Sequence, residues 1–189
     1  MRLFYAISVP LEFQKQLAQK IRADWPMEYI KDVAWVKPEQ IHLTLRFLGD
    51  CSSFSGLKIA GELTASSLKP FKISIISFGV FPSSSRPGVL WAGVSFSHEL
   101  FNLVAILEDN LFDQLYPREK RHFKAHITLG RIKIKGKLPR IVRDAVEDIL
   151  KMKLMELNWV VREFYLVESK LTSSGAMHIP IMKFPLLKS

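Results

Sequence analysis

The feature that most constrains this chain is a short pattern that occurs twice. His42-Leu43-Thr44-Leu45 returns as His126-Ile127-Thr128-Leu129, 84 positions later in a chain of 189 residues. Each copy reads His-x-Thr-x with an aliphatic residue at both x positions. Successive strand residues face opposite ways, so the His and Thr of one copy share a face and the aliphatic pair lies behind them in a core. Two such strands side by side would bring two imidazoles and two hydroxyls into one cleft.

An order of elements accompanies the repeat. After His42 the pattern predicts a helix over 52–68, with Leu57, Ala60 and Leu63 inward, then strands over 71–80 and 89–96. After His126 it predicts a helix opened by Pro139, then strands over 157–161 and 164–168. The later helix carries an inward stripe of Ile141, Val142, Ala145, Val146, Ile149 and Leu150. The expectation is an internal duplication: an α+β fold of two pseudo-symmetric lobes, with antiparallel sheets lining a central cleft and helices packed outside. No clear linker separates the halves, so residues 1–189 read as one bilobal domain. Leu3 to Ser8 reads as a first strand, and Phe13, Leu17, Ile21 and Trp25 as one helical face. Ser97 is a helix N-cap candidate. Pro82 to Gly88 is loop-like in composition, and Ser173-Ser174-Gly175 reads as a turn. His178 to Phe184 reads as a last strand or extended tail.

Charge bears on the partner. The net charge of +9 fits a phosphate-bearing molecule such as a nucleic acid. Cys51 is the only cysteine, which excludes an intramolecular disulfide and a thiolate metal cluster and agrees with a reducing, cytoplasmic setting. The apolar run at the N-terminus is soon broken by Gln14, Lys15 and Gln16. It is too short for a membrane span and reads better as a strand than as a signal peptide.

The repeated motif has a chemistry. Opening a cyclic phosphodiester needs a base that takes a proton from water and an acid that protonates the departing ribose oxygen. Two imidazoles that titrate near neutrality supply both. Thr44 and Thr128, each on the face of its histidine, can donate to phosphoryl oxygens. The scheme requires no metal and no cofactor. His122 and His126 have the spacing of a helical zinc pair, but no carboxylate or third ligand accompanies them. Regular alternation places Arg46 in the cleft with His42 and Thr44, and turns Phe47 away. Arg131, five residues after His126, needs a strand end or a bulge to reach the same cleft. Both arginines suit phosphate recognition. Phe47 is either a base-stacking residue or a core phenylalanine.

At these residues the sequence resembles the two-histidine phosphoesterase superfamily, and within it the RNA 2',3'-cyclic phosphodiesterases, also called 2'-5' RNA ligases. The resemblance spans nearly the whole chain. It includes Arg2-Leu3-Phe4-Tyr5-Ala6-Ile7, Trp35-Val36-Lys37-Pro38, and His42 through Gly49. It continues through Arg86 to Val94, Phe123 to Arg131, and Leu166 to Leu171. It implies hydrolysis of a terminal 2',3'-cyclic phosphate to a 2'-phosphate, and in some members reversible 2'-5' joining of tRNA halves. By the same resemblance His42 is the proton donor and His126 the proton acceptor. Thr44, Thr128 and Arg131 bind the phosphate, and Arg46 and Phe47 remain candidate substrate contacts. The partner expected is an RNA or nucleotide ending in a 2',3'-cyclic phosphate, tRNA fragments included, acted on by a monomer with no membrane association. Ala125 departs from the family, where proline commonly precedes the second histidine. Two other readings stand beside this one: a non-catalytic RNA-binding module, and a cyclic phosphodiesterase for small nucleotide derivatives.

Overall fold

The computed structural model describes residues 1–152, 157–172 and 175–187. The first strand, β1 (Arg2–Ser8), is buried over its five central residues. Pro10 stops it and occupies the N-cap position of α1 (Leu11–Ala23). A short strand, β2 (Val33–Trp35), precedes the first motif strand, β3 (His42–Asp50). Then come α2 (Ser55–Ala65), the hairpin of β4 (Phe71–Ser83) and β5 (Arg86–Val94), and α3 (His98–Asp113). The second motif strand is β6 (His126–Ile132). It is followed by α4 (Arg140–Lys151), β7 (Leu157–Val161), β8 (Glu163–Thr172) and β9 (Gly175–Pro185).

The strands form one antiparallel sheet in the order β7-β4-β5-β6-β3-β1-β8-β9, with β2 on β6. The two motif strands are central neighbours, paired at Leu43 and Ile127. On one side of this seam lie β3, β1, β8 and β9. On the other lie β6, β5, β4 and β7. This is the α+β, two-lobed arrangement that the repeat implies, with one difference. The lobes are not the two halves of the sequence. The β4–β5 hairpin follows His42 in the chain but pairs with the strand of His126. The β8–β9 hairpin follows His126 but reaches the strand of His42 through β1.

The helices cover the apolar face of the sheet. On α4, Val142, Ala145, Val146 and Ile149 are buried, whereas Ile141 and Leu150 flank the stripe and are 47% and 38% exposed. On α2, Leu57 and Ala60 point inward as expected, but Leu63 does not. Thr64 takes the inward position and is fully buried. Burial of its hydroxyl is compensated: Thr64 Oγ1 donates to the Ala60 carbonyl at 2.7 Å and accepts from Asn110 Nδ2 of α3 at 2.9 Å. Ser97 caps α3, its Oγ accepting from the Leu100 amide.

One loop expectation changes, and one open alternative is decided. The Pro82–Gly88 segment is mostly strand, because β4 runs to Ser83 and β5 starts at Arg86 around a two-residue turn. Pro82 and Pro87 face each other there, beyond the last residue that pairs with β6, where a missing amide costs the sheet nothing on its open side. The segment from His178 is strand rather than tail, since β9 pairs with β8 along its length. Ser173 and Ser174 of the expected turn lie outside the described residues.

Candidate active site

The two copies of the motif are held alike. His42 Nδ1 lies 2.7 Å from the carbonyl of Gln40, and His126 Nδ1 lies 2.7 Å from the carbonyl of Lys124. In each case the acceptor is two residues earlier in the chain. A carbonyl can only accept, so Nδ1 carries the proton and Nε2 of each neutral ring is left as the free basic nitrogen. The antiparallel pairing at Leu43–Ile127 relates the copies by a pseudo-twofold, which sets His42 on the side of Thr128 and His126 on the side of Thr44. Thr44 and Thr128 are half-buried, and among the described residues neither hydroxyl has a hydrogen-bond partner.

Each motif strand carries a bulge at the same place. On β3, Ala6 pairs with Thr44 and Tyr5 with Arg46, so Leu45 is the extra residue. On β6, Trp91 pairs with Thr128 and Leu90 with Gly130, so Leu129 is the extra residue. Directly paired residues share a face, and a bulge reverses the alternation beyond it. Phe47, paired with Phe4, therefore lies on the face of His42 and Thr44. Arg131, paired with Val89, lies on the face of His126 and Thr128. Both sit five residues after their histidine, and the bulge is what brings that odd offset into the cleft. Phe47 is 55% exposed, which rules out its reading as a core phenylalanine. Arg131 is exposed and has no ion-pair partner among the described residues.

The same bulge removes Arg46 from the cleft. Regular alternation places it beside Thr44; instead it pairs with the buried Tyr5 and turns toward α3. Its guanidinium bonds Glu108 and reaches Glu119 at 3.5 Å, and it donates to the Pro117 carbonyl at 2.6 Å. With its charge set between two carboxylates, Arg46 is a clamp between β3, α3 and the segment leading to β6.

Aromatic rings surround each imidazole, and the two sides differ. Phe81 meets the edge of His126 with centroids 5.0 Å apart, and Trp91 stands 6.4 Å away. Trp91 lies over Gly79 and Gly93, where an added Cβ would come within 2.1 Å and 3.0 Å of its indole. On the other side Phe4 lies 4.9 Å from His42, and His178 meets it edge-on at 4.8 Å. Burial is the main cause that lowers the His42 pKa to about 4; the Gln40 carbonyl opposes it, and the nearby His178 and His126 add to it. Burial also lowers the pKa of His178. The fold by itself thus keeps His42 neutral around neutral pH.

Reading the sequence misses His178, Phe4, Phe81 and Trp91 as site residues. His178 carries one weak signal, a polar residue within the apolar run Met177 to Met182. Its place beside His42 follows from strand pairing that spans most of the chain. His122 and His126 share no helix; His122 lies in the segment before β6 and is exposed.

Residues 7–91 match a family model described as LigT like phosphoesterase. An RNA 2',3'-cyclic phosphodiesterase of Archaeoglobus fulgidus is 32% identical over 184 residues, covering 97% of this chain and 99% of that protein. Another from Aquifex aeolicus is 30% identical, covering 90% of each. Among solved structures, a Thermus thermophilus protein superposes with a TM-score of 0.82 at 29% identity, covering 98% of each chain. Escherichia coli LigT complexed with 3'-AMP gives a TM-score of 0.75 at 25% identity, covering 99% of this chain and 98% of that one. Among the described residues, no helix is long and apolar enough to cross a membrane.

Proposed function

Because this chain belongs to the LigT-like two-histidine phosphoesterases, the RNA 2',3'-cyclic phosphodiesterase family, we propose that it opens the 2',3'-cyclic phosphate at the end of an RNA to a 2'-phosphate. The observation that carries the reading is the matched pair of imidazoles, each anchored through Nδ1, beside two threonine hydroxyls without partners among the described residues. His126 Nε2 takes a proton from the attacking water. The bond from phosphorus to the ribose 3' oxygen breaks, and His42 gives that oxygen its proton. The product carries a 2'-phosphate and a 3'-hydroxyl, and proton exchange with solvent restores the pair. Thr44, Thr128 and Arg131 meet the charge that develops on the phosphoryl oxygens. Phe47 offers its ring to the terminal base.

The lowered pKa of His42 runs against the donor role before substrate binds. An arriving phosphate anion reverses this, since an opposite charge within hydrogen-bond reach favours the protonated imidazole. A 5'-hydroxyl entering in place of water would form a 2'-5' linkage by the same proton transfers, in either direction. A monomer in the cytoplasm acting on RNA ends, tRNA fragments included, completes the reading.

The test is hydrolysis of an RNA ending in 2',3'-cyclic phosphate by EDTA-treated protein, with the product assigned as 2'- or 3'-phosphate. His42→Ala and His126→Ala should each lower kcat by at least about 10²-fold with the circular dichroism unchanged. Turnover that survives both substitutions overturns the mechanism. Salt-dependent RNA binding without turnover would instead mark a binding module. A preference for cyclic mononucleotides over tRNA fragments would mark a small-molecule enzyme.

A further inference from the structure

Beyond Arg131 the chain keeps alternating. Ile132 and Ile134 pack against the core, while Arg131, Lys133 and Lys135 are exposed. The Lys133 amide donates to the Asp32 carbonyl at 2.7 Å, which fixes the path of the chain past the end of β6. The strand ends at Ile132, the chain turns at Gly136, with φ +82°, and Lys137 follows the bend. Because burial alternates from Arg131 to Lys135, the three cations fall on one exposed side of the segment, in a row that starts on the cleft face.

Three arginines near the site are paired with carboxylates, and Lys124 lies over the Phe81 ring at 5.7 Å. Glu108 and Glu119 hold Arg46, Asp109 holds Arg118, and Glu119 also holds Arg121. Arg131, Lys133, Lys135 and Lys137 have no ion-pair partner among the described residues. A row of unneutralised cations, backed by apolar residues and continuous with a proposed phosphate-binding arginine, is complementary to a polyanion that runs out of the site.

We propose that Lys133 and Lys135 form a rail for the phosphodiester backbone of the RNA strand immediately upstream of the cyclic phosphate. The inference rests on the proposed function and adds to it a preference for chain length: a substrate with several upstream phosphates makes interactions that a mononucleotide cannot. Lys137 extends the rail where the strand is longer. The lysines touch no reacting atom, so the gain falls on binding and not on the chemical step.

The experiment compares wild type with Lys133→Ala/Lys135→Ala and Lys133→Glu/Lys135→Glu on two probes. One is a ten-nucleotide RNA ending in 2',3'-cyclic phosphate, and the other is a 2',3'-cyclic mononucleotide. For the RNA, the charge-reversed pair should raise KM about tenfold at 50 mM salt with kcat unchanged. The alanine pair should flatten the plot of log KM against log salt by about 1.4, or 0.7 for each phosphate that a lysine no longer neutralises. For the mononucleotide, kcat/KM should not change. An unchanged KM for the RNA overturns the rail, as does an equal loss on both probes. Should wild type open neither probe, the proposed function fails and the rail is still read. Fluorescence anisotropy of a labelled ten-nucleotide RNA ending in 2'-phosphate then reports a tenfold loss in the charge-reversed pair if the rail exists, and none if it does not.

Discussion

The proton affinity of His42 is set by its surroundings before any substrate arrives. Phe4 and His178 enclose the ring, and the pKa falls from 6.5 to about 4, chiefly because burial disfavours the charged form. Between those two values the unfolded chain binds a proton at this position that the folded chain refuses. Stability therefore declines as the pH falls from about 6.5 to about 4 and levels off below. His178, lowered in the same direction, adds to the slope. Replacing His42 with glutamine should remove the His42 share, so that urea melts at pH 7 and pH 5 differ by roughly 1–2 kcal/mol less than in wild type. An unchanged difference would mean that His42 titrates normally. At this scale the sequence is legible as far as regular geometry holds. Alternation puts His42 with Thr44 and His126 with Thr128 on common faces. It assigns Arg46 and Phe47 the wrong way round, because one extra residue at Leu45 reverses the faces and has no compositional mark.

The bulges give the motif strands their division of labour. Before each bulge a strand presents a histidine and a threonine to the cleft; after it, a different residue, Phe47 or Arg131, takes the third place. What the bulge turns away is put to use. Arg46 fastens β3 to α3 through Glu108 and to the segment before β6 through Glu119 and the Pro117 carbonyl. The Arg46 and Glu108 side chains retain only 10% and 16% of their exposure, so losing one partner leaves the other charge poorly solvated. Arg46→Met should cost about 2–3 kcal/mol in urea unfolding, and adding Glu108→Leu should recover part of it. Additive losses in the double variant would show that the pair is not coupled. The strands and helices themselves are legible from periodicity and proline placement. The β4–β5 turn is not, because its composition is that of a loop and only the pairing of Pro82 with Pro87 makes it strand.

At the scale of the molecule, the repeat points to two lobes around a seam, and it cannot say which hairpin completes which lobe. Strand partners are chosen by long-range packing, and the exchange of hairpins leaves no local trace. The exchange has a thermodynamic consequence. The half that contains His42 supplies β2, β4 and β5 to the side of His126, and the half that contains His126 supplies β8 and β9 to the side of His42. Neither half keeps a complete sheet alone, and each would expose the apolar face that its partner's hairpin helps to cover. Unfolding should then be a single transition, with calorimetric and van't Hoff enthalpies equal and with far-ultraviolet dichroism and tryptophan fluorescence coincident. Fragments 1–96 and 97–189 should each lack fixed tertiary packing, and mixing them should restore it together with hydrolysis of the cyclic phosphate. Two separated transitions, or a fragment that melts cooperatively by itself, would show that each half builds its own lobe and that the exchanged hairpins are dispensable.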